Sequence, residues 1–162
     1  MLTIRPAAIS DIQLIRNISF EVWPKTYSSI LTPDQIDYMM ELIYSEASLQ
    51  QQIAKDHQFV LVYDDEQPVG FASFNEIEPC VYKLQKIYVS SNQQGKGTGK
   101  YLMDHIINLI KPKGATALRL NVNRHNKARY FYERLGFGII AEEDIDIGNG
   151  YFMNDYVMEK KI

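Results

Sequence analysis

Cysteine is almost missing from this chain, with Cys80 the one thiol among 162 residues. A lone thiol cannot close an internal disulfide, so nothing calls for an oxidising compartment. Long hydrophobic runs are missing as well. None approaches the roughly 18 residues that a membrane span requires, and Met1 to Asp11 lacks the basic, apolar and small-residue order of a secretory leader; the expected location is therefore cytoplasmic. Excess positive charge is also absent: 17 Lys and Arg stand against 20 Asp and Glu, for a net charge of -3. A nucleic-acid surface, normally a basic face, is thereby disfavoured, whereas a cationic small-molecule partner is compatible. Repeats, low-complexity tracts and linkers are not found, and residues 1–162 read as a single domain. The three histidines, His57, His105 and His125, have no metal-ligand spacing.

Glycine is scarce too, at 9 residues, yet three of them alternate in Gln94-Gly95-Lys96-Gly97-Thr98-Gly99, between an apolar strand and a helix. Glycine permits positive φ and removes the Cβ atoms that would hold a ligand away from backbone amides. Those amides, with the first N–H groups of the helix and its dipole, make an anion site suited to phosphate or pyrophosphate. Lys96 and Lys100 add positive charge. A dinucleotide fingerprint needs G-x-G-x-x-G with an acid about twenty residues on, and a P-loop needs G-x-x-x-x-G-K-[ST]. Lys100 occupies the third glycine slot of the first pattern. Tyr101 and Gln94 break the second. What remains, Gln94-x-x-Gly97-x-Gly99 after a strand, resembles the acyl-CoA pyrophosphate loop of the GCN5-related N-acetyltransferase (GNAT) superfamily.

Along the chain, Leu2 to Arg5 reads as a strand stopped by Pro6. Ser10 with Gln13 makes a capping box for a helix ending by Pro24. Thr32-Pro33 opens a second helix with Ile36, Met39, Met40 and Ile43 as its buried stripe, and Ser45 can cap a third carrying Leu49 and Ile53. Trp23 to Tyr27 is read as an aromatic loop, with Trp23 and Tyr27 either core or walls of an acceptor pocket. Phe59 to Tyr63 and Pro68 to Phe74 form an antiparallel hairpin. In Tyr82 to Val89 the alternation breaks: Leu84 and Ile87 are both apolar but an odd number apart, which a β-bulge explains. Such a bulge would splay the strand and leave backbone groups free to pair with the amides of a pantetheine arm. The helix after the glycine loop has Leu102, Ile106, Leu109 and Ile110 as its apolar stripe. Ala117 to Val122 is a further strand, a short helix ends at Gly136, and Phe137 to Ile147 with Tyr151 to Glu159 form a final hairpin. This order points to a mixed α/β sheet with helices on both faces.

A second motif, N-x-x-A-x-x-F-Y-x-x-x-G-F from Asn126 to Phe137, is also similar to the GNAT superfamily and follows the loop at the expected distance. The resemblance implies a twisted, mixed, mostly antiparallel sheet whose fourth and fifth strands splay to hold acetyl-CoA as cosubstrate. It implies that Ile87, Tyr88 and Val89 bind pantetheine, Ile87 and Val89 through their backbone. Gln94, Gly95, Lys96, Gly97, Thr98, Gly99 and Lys100 would hold the pyrophosphate. Asn126 would contact the cofactor, Arg134 would reach a phosphate, and Tyr132 would stand beside the thioester sulfur as general acid. A departing thiolate, whose thiol has a pKa near 8.5, can take a proton from a phenol with a pKa near 10. Some members carry a Glu shortly before the pantetheine stretch, where this chain has Lys83, Gln85 and Lys86. The base is therefore open among Glu21, Glu76, Glu78, Tyr88 and a water chain, with His125 a weaker candidate.

The C-terminal hairpin, preceded by Glu142, Glu143, Asp144 and Asp146, resembles bacterial members that include spermidine and spermine acetyltransferases. Acids near a channel would attract polyamines, whereas on a solvated hairpin edge they would do little. The expectation is acetyl transfer to a primary amine of a small, cationic or polyamine-like acceptor. The alternatives are a protein N-terminal or lysine acetyltransferase and a non-catalytic acyl-CoA-binding regulator. Dimers are common in the family, which makes a homodimer an expectation that no residue here carries.

Overall fold

The computed structural model describes all of residues 1–162. Its strands are β1 (Leu2–Pro6), β2 (Gln58–Asp64), β3 (Gln67–Glu78), β4 (Val81–Val89), β5 (Ala117–Asn123), β6 (Gly138–Gly148) and β7 (Tyr151–Lys161), and its helices are α1 (Ile12–Tyr27), α2 (Pro33–Tyr44), α3 (Glu46–Ala54), α4 (Thr98–Ile110) and α5 (Ala128–Arg134). They build one seven-stranded sheet in the order β1-β2-β3-β4-β5-β7-β6. Every pairing is antiparallel except β4 with β5. One face packs Val60, Val62, Phe74, Leu84, Leu118, Leu120 and Met158 against α4 and α5. The other packs Phe59, Leu61 and Phe71 under α1, α2 and α3. The expected mixed sheet with helices on both faces is present.

The bulge falls in β4. Lys86 pairs with Ser73 and Leu84 with Phe74, so Gln85 is the extra residue. Directly opposed residues share a face, so Leu84 and Ile87 both lie on the α4/α5 side, while Lys83, Lys86 and Tyr88 lie on the side of α1 to α3. The parallel ladder to β5 covers only Val81 to Leu84 against Ala117 to Leu120. Beyond it β5 continues to pair with β7. The rest of β4 has no partner on that side, and the sheet opens between the two strands.

Four local expectations are corrected. The start of α1 is held by Asp11, whose carboxylate accepts the Ala8 N–H at 2.8 Å and binds Arg5 at 2.8 Å, while Ser10 makes no cap. Pro24 does not end α1: the helix runs on to Tyr27 and Ser28 N–H donates to the Pro24 carbonyl at 3.0 Å. An interior proline costs about 3 kcal/mol. Burying Trp23 and Tyr27 offsets it, since two aromatics each hide a large apolar area. These two side chains therefore stand on the last turns of a helix, not in a loop. In α4 the buried stripe is Leu102, Met103, Ile106, Ile107 and Ile110, and Leu109 is exposed. The caps at Thr32 and Ser45 form as read, accepting from Gln35 N–H at 3.2 Å and Ser48 N–H at 3.1 Å.

Candidate active site

The gap between β4 and β5 opens into two hollows, one on each side of the sheet. On the α4/α5 side, and reaching past the end of α1 at Lys25, Thr26 and Tyr27, is a cleft of about 840 Å³, walled by Ile87, Tyr88 and Val89, by Gln93 to Gly95 and Gly97 to Lys100, and by Asn126, Phe131, Tyr132 and Arg134. On the other side is a cavity of about 330 Å³ under α1, α2 and α3. Tyr27, Gln85, Lys86, Tyr88 and Asn121 belong to both walls, so the gap joins the two.

The cleft is built mainly from backbone. Ser90 N–H donates to the Val69 carbonyl at 2.8 Å. Backbone groups alternate in direction along a strand, so those of Val89 and Ile87 point away from β3 and into the gap. The Tyr88 side chain turns to the opposite face and packs on Trp23 and Phe71, with ring centroids 6.1 and 5.8 Å away. At the loop, Gly95 and Gly97 have φ of 82° and 79°, and a Cβ on either would meet nothing within 4 Å. Their amides are uncovered, and α4 opens immediately after. Gly99 serves a different purpose: its φ is ordinary, and an added Cβ would lie 3.1 Å from the Phe131 ring. It lets α4 approach α5. Thr98 is buried and donates to Gln93 Oε1 at 3.1 Å, while Gln93 Nε2 donates to Asp64 at 3.1 Å. Gln93 is a strut beneath the loop that sequence reasoning missed.

The charges of the cleft are one-sided. Lys25, Lys86, Lys100, Lys127 and Arg134 line it, and no Asp or Glu does, although the whole chain is acidic. Lys100 is tied to Asp104 at 2.6 Å, and Lys96 stays exposed outside the wall. A strand edge, a row of uncovered amides and a cationic rim fit an elongated ligand with amides at one end and phosphates at the other.

Asn126 is committed to the chain through its oxygen, which accepts the Ala128 N–H at 2.9 Å and shapes the entry to α5. Its side chain lines the cleft. Tyr132, buried among Phe131 and Phe137, lines the cleft and makes no hydrogen bond within the protein. Burial, with a smaller effect from Tyr27, pushes its phenol well above the ordinary tyrosine value. It holds its proton at any working pH.

The second cavity is built from side chains. Trp23 and Tyr27 are both on its wall. Their rings lie 4.4 Å apart, and the Trp23 indole N–H reaches Tyr44 Oη at 3.2 Å. Burial raises the Tyr27 and Tyr88 phenols. Of the proposed bases, Tyr88 is on this wall and the three glutamates are not: Glu76 accepts the Cys80 N–H at 3.2 Å, Glu78 pairs with Arg119 at 3.3 Å, and Glu21 faces Lys25 at 3.8 Å. Asp155, on β7, is on it. It is 1% exposed, its Oδ2 takes the Asn121 amide at 3.2 Å, and its Oδ1 has no partner. Burial raises its pKa above the usual carboxylate value. The available signal was an acid at an inward position, in phase with Met153 and Val157. Glu142 and Asp144 instead clasp Arg124 on exposed β6, away from either hollow.

The model of the acetyltransferase (GNAT) domain family matches residues 28–160. A spermidine N(1)-acetyltransferase of Thermoplasma acidophilum is 28% identical over 164 residues, covering 98% of this chain and 96% of that one. The crystal structure of the PaiA N-acetyltransferase from T. acidophilum in complex with coenzyme A superposes with a TM-score of 0.85 at 27% identity, over 100% of this chain and 99% of that one. A [ribosomal protein bS18]-alanine N-acetyltransferase of Haemophilus influenzae is 33% identical over 89 residues, 55% of this chain and 57% of that one. The chain belongs to the GNAT acetyltransferases, and it is an N-acetyltransferase whose cosubstrate is acetyl-CoA.

Proposed function

We propose that the chain works as one acetyltransferase domain that moves the acetyl group of acetyl-CoA to the primary amine of a small molecule, with the cosubstrate in the cationic cleft and the acceptor in the cavity beneath α1 to α3. The observation that carries this is the gap after Leu84, which joins two hollows of opposite construction at Tyr27, Tyr88 and Asn121. The Ile87 and Val89 backbone would pair with the pantetheine amides, the amides from Gln94 to Gly99 with Lys100 would hold the pyrophosphate, and Asn126 and Arg134 would complete the cleft. The neutral amine nitrogen bonds to the thioester carbon as the carbon–sulfur bond breaks. Tyr132 delivers its phenolic proton to the leaving sulfur and recovers a proton shed by the nitrogen, so the products are an amide and a thiol. Its raised pKa keeps it a donor throughout.

A polyamine acceptor is the second reading, favoured by the near full-length likeness to the spermidine enzyme of T. acidophilum. Incubation with acetyl-CoA and a panel of polyamines, amino acids, alkylamines and peptide N-termini, read by thiol release and the mass of the product, tests both. Release with small amines and not with peptides is expected. Turnover restricted to peptides or proteins would move the acceptor to a macromolecule, and tight cosubstrate binding without release on any amine would leave a regulator.

A further inference from the structure

The acceptor cavity carries three charged side chains, Lys83, Lys86 and Asp155. The bulge at Gln85 is what sends both lysines to this face, and β7 brings Asp155 to it. Lys86 Nζ donates to Gln52 Oε1 at 2.5 Å and lies 5.9 and 5.6 Å from the centres of the Tyr44 and Phe59 rings. Neither lysine has a carboxylate oxygen within ion-pairing distance. Lys83 is a charged neighbour of both Asp155 and Lys86, so charges of both signs line one cavity without forming an ion pair there. A desolvated ammonium without a counter-ion and a buried carboxylate oxygen without a donor are both costly. Each would be relieved by a ligand of opposite charge.

Resting on the small-amine reading above, we infer that the acceptor is an amine that also carries a carboxylate, its ammonium received by Asp155 and its carboxylate by Lys86 and Lys83. A cavity lined by two unpaired ammonium groups and one carboxylate is matched to a zwitterion. The distal ammonium of a diamine or polyamine would instead be driven against two lysines, a like-charge contact in a low-dielectric site. Trp23, the one tryptophan of the chain, stands on the cavity wall and reports occupancy without turnover.

The test compares ω-amino acids of increasing length, from glycine to 6-aminohexanoate, and lysine, each with the alkylamine and the diamine of matched length, and with spermidine. Thiol release and Trp23 fluorescence are both read. At least one amino acid is expected to exceed its matched alkylamine and diamine in kcat/KM by about tenfold or more, in line with a charge-assisted contact. Lys86→Gln is expected to shrink that ratio by about tenfold, Lys83→Gln by less, and Asp155→Asn to raise KM for every amine. Equal turnover of amino acids and alkylamines, or a preference for diamines or spermidine, overturns the inference and leaves the acetyltransfer reading standing. If no small amine releases thiol, the acceptor reading itself fails. The fluorescence titration then still decides the cavity: saturable quenching by an amino acid, weakened at least fivefold in Lys86→Gln, sustains the dipolar site, and its absence removes it. A cooperative thermal melt and a parental far-UV circular dichroism spectrum show that each variant is folded.

Discussion

The two hollows on either side of the β4–β5 gap are made of different material. The cosubstrate cleft offers mostly backbone: the free edge of β4, uncovered amides at Gly95 and Gly97, and the N-terminus of α4. Backbone carries the same donors and acceptors whatever the side chains, so such a cleft recognises one ligand by a local pattern. The acceptor cavity offers side chains from α1, α2, α3, β4, β5, β6 and β7, and which groups meet there depends on the residue at each position. The difference teaches where specificity resides on the proposed reading: the cleft would commit the protein to a thioester, while Lys83, Lys86 and Asp155 would choose the amine.

The sharpest way to break that comparison is at Tyr132 in the cleft. Tyr132→Phe should lower kcat by roughly tenfold to thousandfold with KM for acetyl-CoA nearly unchanged, measured by steady-state thiol release. An unaltered kcat would remove Tyr132 from the proton path. Next, Gly97→Val would force a β-branched residue into a left-handed conformation that costs about 1–2 kcal/mol. A rise of about tenfold in KM for acetyl-CoA follows, with KM for the amine within about twofold; equal effects on both would mean that the loop serves the whole fold rather than the cleft.

Lys86 ties the cavity to stability. Burial, aided by the Lys83 charge, lowers its pKa from 10.5 to about 8. A lysine depressed in the fold binds its proton more tightly when unfolded, so the destabilisation is fully present below pH 8 and fades as pH climbs from 8 toward 10.5. Lys86→Met should therefore melt at a higher temperature than the parent at pH 7, with the gap narrowing by pH 10 in differential scanning calorimetry. A gap that does not vary with pH would place the effect in packing instead of charge. The smallest effect is expected from Glu142→Gln with Asp144→Asn. An exposed ion pair is worth under about 1 kcal/mol, so spermidine turnover should change less than about twofold. A large loss would make the acidic hairpin an acceptor site after all.

Much of the cleft is legible in the amino-acid sequence. The glycine loop, the bulge between Leu84 and Ile87, and the Asn126 to Phe137 segment are contiguous patterns, and local backbone geometry follows from local sequence. Pro24 misled because a buried pair of aromatics outweighed a helix-breaking residue, and only the packing of Trp23 and Tyr27 reveals that balance. Gln93 was invisible because its partners, Asp64 and Thr98, are set by how β2 meets the loop. Asp155 was passed over among the acids of the final hairpin, since nothing in a linear run says which of them the sheet turns inward.

By itself, then, the order of residues determined the cleft proposed to hold the thioester, because strand, glycine turn and helix N-terminus form it from neighbours in the chain. The tertiary structure alone decided the acceptor side. There, charges from β4 and β7 that lie 72 and 69 residues apart, Lys83 and Lys86 each against Asp155, are brought to one cavity by a bulge and a strand crossing, and the energy of a charge depends on its surroundings in space rather than on its place in the chain.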